Sequence, residues 1–149
     1  PAGSTMVAAR EQLLAMTKDS LELTEPSDVR LLPQEGAVVD IAGIRLGVRH
    51  APGHTEGSVV FDVPREGDVD VLLSGDVLFQ GSIGRTDLPG GDSRAMDESL
   101  RTVIWPMGDE VIVLPGHGAQ TTIGDERAAN PFLRAAADGG PSNPPTRGL

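Results

Sequence analysis

His54 and His117 stand in the same tripeptide, Pro-Gly-His, each at the end of an apolar run: VRHAPGHT (48–55) and VIVLPGHG (111–118). A third stretch, VLLSGDVLF (71–79), follows the same grammar with Asp76 in the donor position. In each, the Gly before the side chain lets the backbone turn sharply and approach a neighbour closely. The apolar strand behind it fixes where the side chain starts. Imidazole and carboxylate are donors suited to Zn, Mn or Fe. A carboxylate has two oxygens, so Asp76 can bridge two ions as a single imidazole cannot. One His or Asp at a strand end is ordinarily a turn or cap residue. Three stretches that share strand, Gly and donor, using two of only three histidines, point instead to a metal centre. The third histidine, His50, reads as a neighbour that supports the His54 loop or lies on the surface. Thr55 and Ser58 read as satisfying backbone groups at the turn after His54.

The donors are 22 and 41 residues apart, so only a folded sheet can bring them together. The chain supplies the strands. AVVDI, IRLGVRH, SVVFDV and VDVLLSG are short β-rich runs separated by Ala-Gly, Pro-Gly and PREGD turn signals. EVIVLPG is continuously apolar, which predicts a strand buried on both faces. Ser93 opens a helix with Met96, Leu100, Val103 and Ile104 as its buried stripe. GDERAAN and PFLRAAADGG predict two short helices, with Asn130 capping the second, Pro131 in its first turn and Gly139 ending it. Arg127 is expected on a solvated face and the only tryptophan, Trp105, in the core. Ahead of the strands, Thr5 can cap a helix to about Asp19, and a polar connector broken by Pro26 and Pro33 follows to residue 36. Residues 139–149 are predicted to be a disordered tail.

Composition narrows the partners. A net charge of -10 argues against nucleic acid and anionic membrane surfaces, both of which would repel the chain. The absence of cysteine excludes disulfides, thiolate metal sites and a Cys nucleophile. No run approaches 18 apolar residues and no charged-then-apolar leader opens the chain, so a cytoplasmic location is expected. Aromatics make up only 3%, so the core must rest on Val, Leu, Ile and Ala.

APGHTEGSVVF, SGDVLFQGSIGRTDLPGGD and LPGHGAQTTIGDERAANPFL together resemble the metallo-β-lactamase-fold hydrolases, specifically the glyoxalase II (hydroxyacylglutathione hydrolase)-like branch, over about residues 37–133. The resemblance implies an α/β fold, the four-layer αββα sandwich, of which this chain provides about the C-terminal half within residues 1–138. It implies that His54 ligates a first metal, His117 a second, and that Asp76 bridges both and is the catalytic carboxylate. The cofactor implied is two Zn ions, with Fe or Mn as substitutes. The activity implied is hydrolysis of a small-molecule thioester: ions about 3.5–4 Å apart hold a bridging water, lower its pKa from 15.7 towards about 7, and the hydroxide attacks the carbonyl. Arg85, within IGRTD, is implied to grip a carboxylate at the thiol-carrier end of the substrate; an ion pair with Asp87 or Asp92 is the other reading of the same residue.

The chain departs from the family in one respect. The upstream HxHxDH motif is missing, and residues 1–36 hold no histidine. Each ion would have two protein ligands here, against three at a typical catalytic zinc. The remaining ligands are therefore expected from a missing N-terminal half of a longer protein or from a second chain, and the inner face of the sheet is expected to be bare without it. Two alternatives stay open: a mono-iron persulfide dioxygenase of the same fold, against which the intact LPGHG argues, and a metal-free half-domain acting as a partner-binding module.

Overall fold

A computed structural model of the chain describes residues 36–140, all within one compact unit, Pro33–Leu149. The expected N-terminal helix, nearly all of its connector and the tail beyond Gly140 lie outside the described residues. Six strands form a mixed sheet: β1 (Val38–Ile41), β2 (Ile44–His50), β3 (Val59–Val63), β4 (Val71–Gly75), β7 (Ile112–Pro115) and β8 (Thr121–Thr122), side by side in that order. Two short strands, β5 (Leu78–Phe79) and β6 (Ser82–Ile83), make a separate hairpin. Neither this hairpin nor β8 is visible as a strand pattern, because each segment is only two residues long.

Every neighbouring pair in the sheet is antiparallel except β4 with β7. Two antiparallel steps make β2 run in the direction of β4, and the parallel step makes β7 do the same. The C-terminal ends of β2, β4 and β7 therefore share one edge of the sheet, where ligand crevices form in sheets with parallel strands. The crossover from β4 to β7 carries the hairpin and the helix α1 (Ser93–Ser99), capped by the Asp92 carboxylate on the N–H groups of Arg94 and Ala95. Helix α1 runs into a wider π-helical turn over Leu100–Ile104, where the Trp105 N–H reaches back to the Leu100 carbonyl at 2.8 Å. Thr102 bonds the Glu98 carbonyl at 2.8 Å in the same stretch, the kind of back-bond that bends helices. Helices α2 (Ile123–Ala129) and α3 (Pro131–Ala137) follow β8; Thr122 caps the first, and Asn130 caps the second with Pro131 in its first turn, the latter two as the sequence predicts. Gly139 stops the chain's helical run at φ +75°.

The core lies on one face of the sheet. Val60, Leu72 and Val113 are fully buried and pack with Met96, Leu100, Ile104, Ile123 and Leu133 from the helical layer. Fully burying each such side chain contributes about 1.5–3 kcal/mol. Phe61, Leu73 and Leu114 are register neighbours on the opposite face. Phe61 and Leu73 are half-buried there and Leu114 is 37% exposed. This corrects the expectation that β7 is buried on both faces, and it fits a sheet whose inner face is incompletely covered. Trp105 is only half-buried, packed against the edge of the core. Arg127 is not on a solvated face: it donates to the carbonyls of Trp105 (2.8 Å) and Met107 (2.6 Å), pairs with Asp109, and lies over the Trp105 ring. The GDERAAN helix turns that side toward the chain reversal after Trp105, which composition alone does not reveal.

Candidate functional site

The shared edge of β2, β4 and β7 carries the three predicted donors. Asp76 follows Gly75, which takes φ +51° so that β4 can end in a turn. His117 follows Gly116 at the end of β7, and the Gly116 N–H bonds the Gly75 carbonyl at 2.8 Å, carrying the parallel pairing one step past a register shift. His54 comes from the loop after β2. That loop lies on α1 so tightly that a Cβ at Gly53 (φ +144°) would sit 2.5 Å from Met96, so only glycine fits.

Asp76 presents a different oxygen to each histidine. Oδ2 lies 3.7 Å from His54 Nε2 and Oδ1 lies 3.9 Å from His117 Nε2. Both spans are too long for hydrogen bonds. With metal–ligand bonds of about 2.0–2.2 Å, donors flanking one tetrahedral ion stand about 3.4 Å apart, and the two spans are slightly wider than that. His54 Nδ1 is 2.9 Å from the Arg85 carbonyl oxygen. A carbonyl can only accept, so Nδ1 is the donor, and in the neutral imidazole Nε2 is then the nitrogen whose lone pair faces Asp76. Donor type, tautomer and aim thus fit a borderline metal ion. Donor number does not complete the site: among the described residues no three His, Asp or Glu side chains close around one point.

The donors open onto a cavity of about 510 Å³, with Phe79, Gly84 and Arg85 also in its wall. Phe79, on the β5–β6 hairpin, stacks on the His117 ring with centroids 4.5 Å apart. Gly84 comes so close that a Cβ there would collide with the Asp76 carbonyl oxygen, and at Gly116 it would sit 2.5 Å from Asp76 Oδ1. Arg85 lines the cavity with its guanidinium closed on Asp87, Nε to Oδ1 and Nη2 to Oδ2 both at 2.8 Å. That fork holds the Asp87 carboxyl at about 2, below its ordinary 3.8, and raises the pKa of Arg85. Of the two readings of Arg85, the pair with Asp87 is thus formed here, and Asp92 is the cap of α1 instead.

The supporting residues lie around the His54 loop. His50 is no part of the cavity wall; its Nε2 lies 2.9 Å from the Glu56 carbonyl, across the base of the His54 loop. Thr55 N–H donates to Ser58 Oγ at 3.0 Å, and the two hydroxyls meet at 2.9 Å. Glu126 and Asn130 carry a role that the sequence reading missed. Both are buried, and together they reach the β5–β6 hairpin: Gly81 N–H donates to Glu126 Oε2 (2.8 Å) and Asn130 Nδ2 donates to the Ser82 carbonyl (3.0 Å). A signal was available: Ile123, Glu126, Asn130 and Leu133 are spaced 3-4-3, so two polar residues occupy the buried stripe of a helical pair. A second cleft, of about 360 Å³, lies around the Arg49–Asp62 ion pair and contains none of the three donors.

Comparison with known proteins agrees with this geometry. The sequence profile of the Metallo-beta-lactamase superfamily matches residues 5–117. A hydroxyacylglutathione hydrolase, GloC, of Haemophilus influenzae is 44% identical over 106 residues, 71% of this chain and 49% of that protein. The crystal structure of the BLEG-1 B3 metallo-beta-lactamase superposes with a TM-score of 0.68 at 43% identity, over 80% of this chain and 55% of its own. A di-iron-bound form of TTHA1623 gives a TM-score of 0.61 at 40% identity, over 80% and 56%. The chain spans about half the length of the curated relatives it matches.

Proposed function

Because the chain belongs to the metallo-beta-lactamase superfamily, whose fold binds metal ions, we propose that it is the metal-bridging part of a hydrolase that cleaves small-molecule thioesters. The observation that carries this reading is the Asp76 carboxylate, with one oxygen toward His54 Nε2 and the other toward His117 Nε2. A carboxylate that faces both histidines is what two ion positions sharing one bridging ligand would require. The ions, Zn by preference and Fe or Mn as substitutes, would supply Lewis acidity and a lowered water pKa when bound. Ligands from outside the described residues, on the remainder of a longer protein or on a second chain, complete the set.

The chain's own residues have distinct tasks. Asp76 holds the two positions in register. His54 is kept in the ligating tautomer by the Arg85 carbonyl. The Arg85 guanidinium, on the cavity wall, grips a carboxylate on the thiol carrier by exchanging it for Asp87. The net charge of -10 argues against nucleic acid and anionic membranes as partners, and no helix among the described residues is long and apolar enough to cross a bilayer. A cytoplasmic location goes with this reading.

The test is elemental analysis of the dialysed protein, with hydroxyacyl-thioester hydrolysis assayed beside a chromogenic β-lactam. About two ions per chain, lost in Asp76→Asn together with thioester cleavage, is the expected result. A single iron with no hydrolysis would replace the proposal with the dioxygenase reading, and no metal with added zinc would leave a partner-binding half-domain. Cleavage of the β-lactam alone would move the substrate class.

A further inference from the structure

His54 and His117 differ in what orients them. The His54 ring is fixed by its Nδ1 hydrogen bond to a backbone carbonyl, the usual way a ligating imidazole is held. His117 has no such bond among the described residues, and its side chain is 73% exposed. Its ring plane rests on Phe79, stacked at 4.5 Å and 29°. Whatever holds Phe79 therefore holds His117.

Phe79 ends β5, one residue before the tight turn Gln80–Gly81, and Gly81 adopts φ +68° there. The Gly81 N–H points into the protein and donates to Glu126 Oε2 at 2.8 Å. The same oxygen accepts from Asn130 Nδ2 at 2.7 Å, and Oε1 accepts from the Thr121 hydroxyl at 2.7 Å. Glu126 is 2% exposed, and no cation among the described residues is paired with it. A carboxylate buried on neutral donors alone is costly, so its three hydrogen bonds must be fully made. Thr121 stands four residues after His117, at the far end of the exposed loop that carries it. Glu126 consequently ties both sides of the stack: the hairpin that brings Phe79 and the strand that ends the His117 loop.

We infer that Glu126 is a positioning residue for His117, acting through the Gly81 turn and Phe79 on one side and through Thr121 on the other. The geometry stands without a metal; its purpose, aiming His117 Nε2 at Asp76 Oδ1, rests on the function proposed above. A neutral Gln at 126 can keep a carbonyl on Gly81 and Asn130 while its amide turns to the Thr121 hydroxyl, so it preserves the arrangement. Ala removes all three acceptor contacts.

With three histidines in the chain, their ring signals in the NMR spectrum of the metal-free full-length protein are separable, each assigned by its own His→Gln variant. The His117 ring protons are expected upfield, shielded by Phe79, and Phe79→Leu must remove that shift. Glu126→Ala, which touches neither ring, must remove it as well while the His50 and His54 signals stay in place, and Glu126→Gln must restore it. If Glu126→Ala does not fold, Thr121→Val, which deletes only the hydroxyl, must still move the His117 signals part of the way. A stable Glu126→Ala or Thr121→Val with unmoved His117 signals reduces Glu126 to a structural role and overturns the inference. Zinc titration of the same samples should show affinity on the His117 side falling about 10–100-fold with Ala and recovering with Gln, the range for losing a residue that orients a ligand. Failure of the wild type itself to bind zinc would count against the proposed function and leave the metal-free spectra to decide the positioning role.

Discussion

The two arms that meet at Asp76 are built by opposite means. The His54 arm is a loop bonded to its surroundings at nearly every step: Ala51 N–H to Ser58, Ser99 Oγ to the Pro52 carbonyl at 2.7 Å, Gly53 against Met96, His54 to Arg85. Its histidine is 25% exposed. The His117 arm leaves β7 through Gly116 and Gly118 into solvent, and its histidine leans on one aromatic ring. A ligand can be aimed by backbone hydrogen bonds, which couple it to fold stability, or by a stack on a remote hairpin, which does not. Substitutions on the first arm should therefore cost stability, and on the second they should cost the site while the fold survives.

Gly84→Ala tests the point where the arms join, and its effect should be the largest. The added Cβ meets the Asp76 backbone carbonyl and lies 3.3 Å from His54 Cβ. Backbone cannot yield as a side-chain tip can, so about 3 kcal/mol of stability should go, the upper end for overpacking. Urea unfolding gives the number; a loss under about 1 kcal/mol would mean the turn after β4 is softer than a bonded arm allows.

Gly116→Ala should separate the two designs. Its Cβ would sit 2.5 Å from Asp76 Oδ1, the oxygen that faces His117. A carboxylate tip can swing aside, so the urea midpoint should move little, while zinc affinity on the His117 side falls about 10–100-fold. Equal losses on both sides would show that Asp76 moves as a unit and that the arms are not independent.

The bonded arm has its counterpart in Ser99→Ala. Ser99 is 3% exposed and its hydroxyl donates to the Pro52 carbonyl, beneath the His54 loop. Removing it leaves a carbonyl short of a donor and should cost about 1 kcal/mol. The expected readout is a lower urea midpoint together with broadened His54 ring signals and unchanged His117 signals. A change confined to His117 would invert the comparison.

How much of this was legible follows the same division. His54, Asp76 and His117 announce themselves because a Gly and an apolar strand must precede each, and those requirements are local in sequence. The strands β1, β2 and β4 are equally legible, since alternation and turn residues act within a few positions. The convergence of the donors was expected from their shared strand-Gly-donor pattern and from the family resemblance, but the pairing that produces it was not legible: β7 lies parallel to β4 across 41 residues. Phe79 and Glu126 were missed because their roles exist only between elements. A two-residue strand has no period, and a Glu in GDERAAN reads as surface until the Ile123–Asn130 spacing is weighed against burial. Arg127 failed for the same reason, since its acceptors are carbonyls, which leave no mark in a sequence.

The smallest effect belongs to Asp87, an exposed partner of the Arg85 guanidinium. Its carboxyl is held at about 2, first by the hydrogen bonds from Arg85, against an ordinary 3.8. A folded-state pKa below the unfolded one means the pair stabilises the folded chain above about pH 4, and that this contribution drains away as the pH falls toward 2. Asp87→Asn should accordingly melt slightly below wild type at pH 6 and together with it at pH 2. The difference must be small, because Arg85 and Asp87 are 59% and 66% exposed and water screens them. Thermal midpoints between pH 6 and 2 decide the sign: a gap that persists at pH 2 would mean Asp87 acts through something other than the Arg85 fork. The same substitution frees that fork without touching the Arg85 carbonyl that holds His54. On the function proposed above, the KM for a thioester whose carrier bears a carboxylate should then fall, and zinc affinity on both arms should stay where it was.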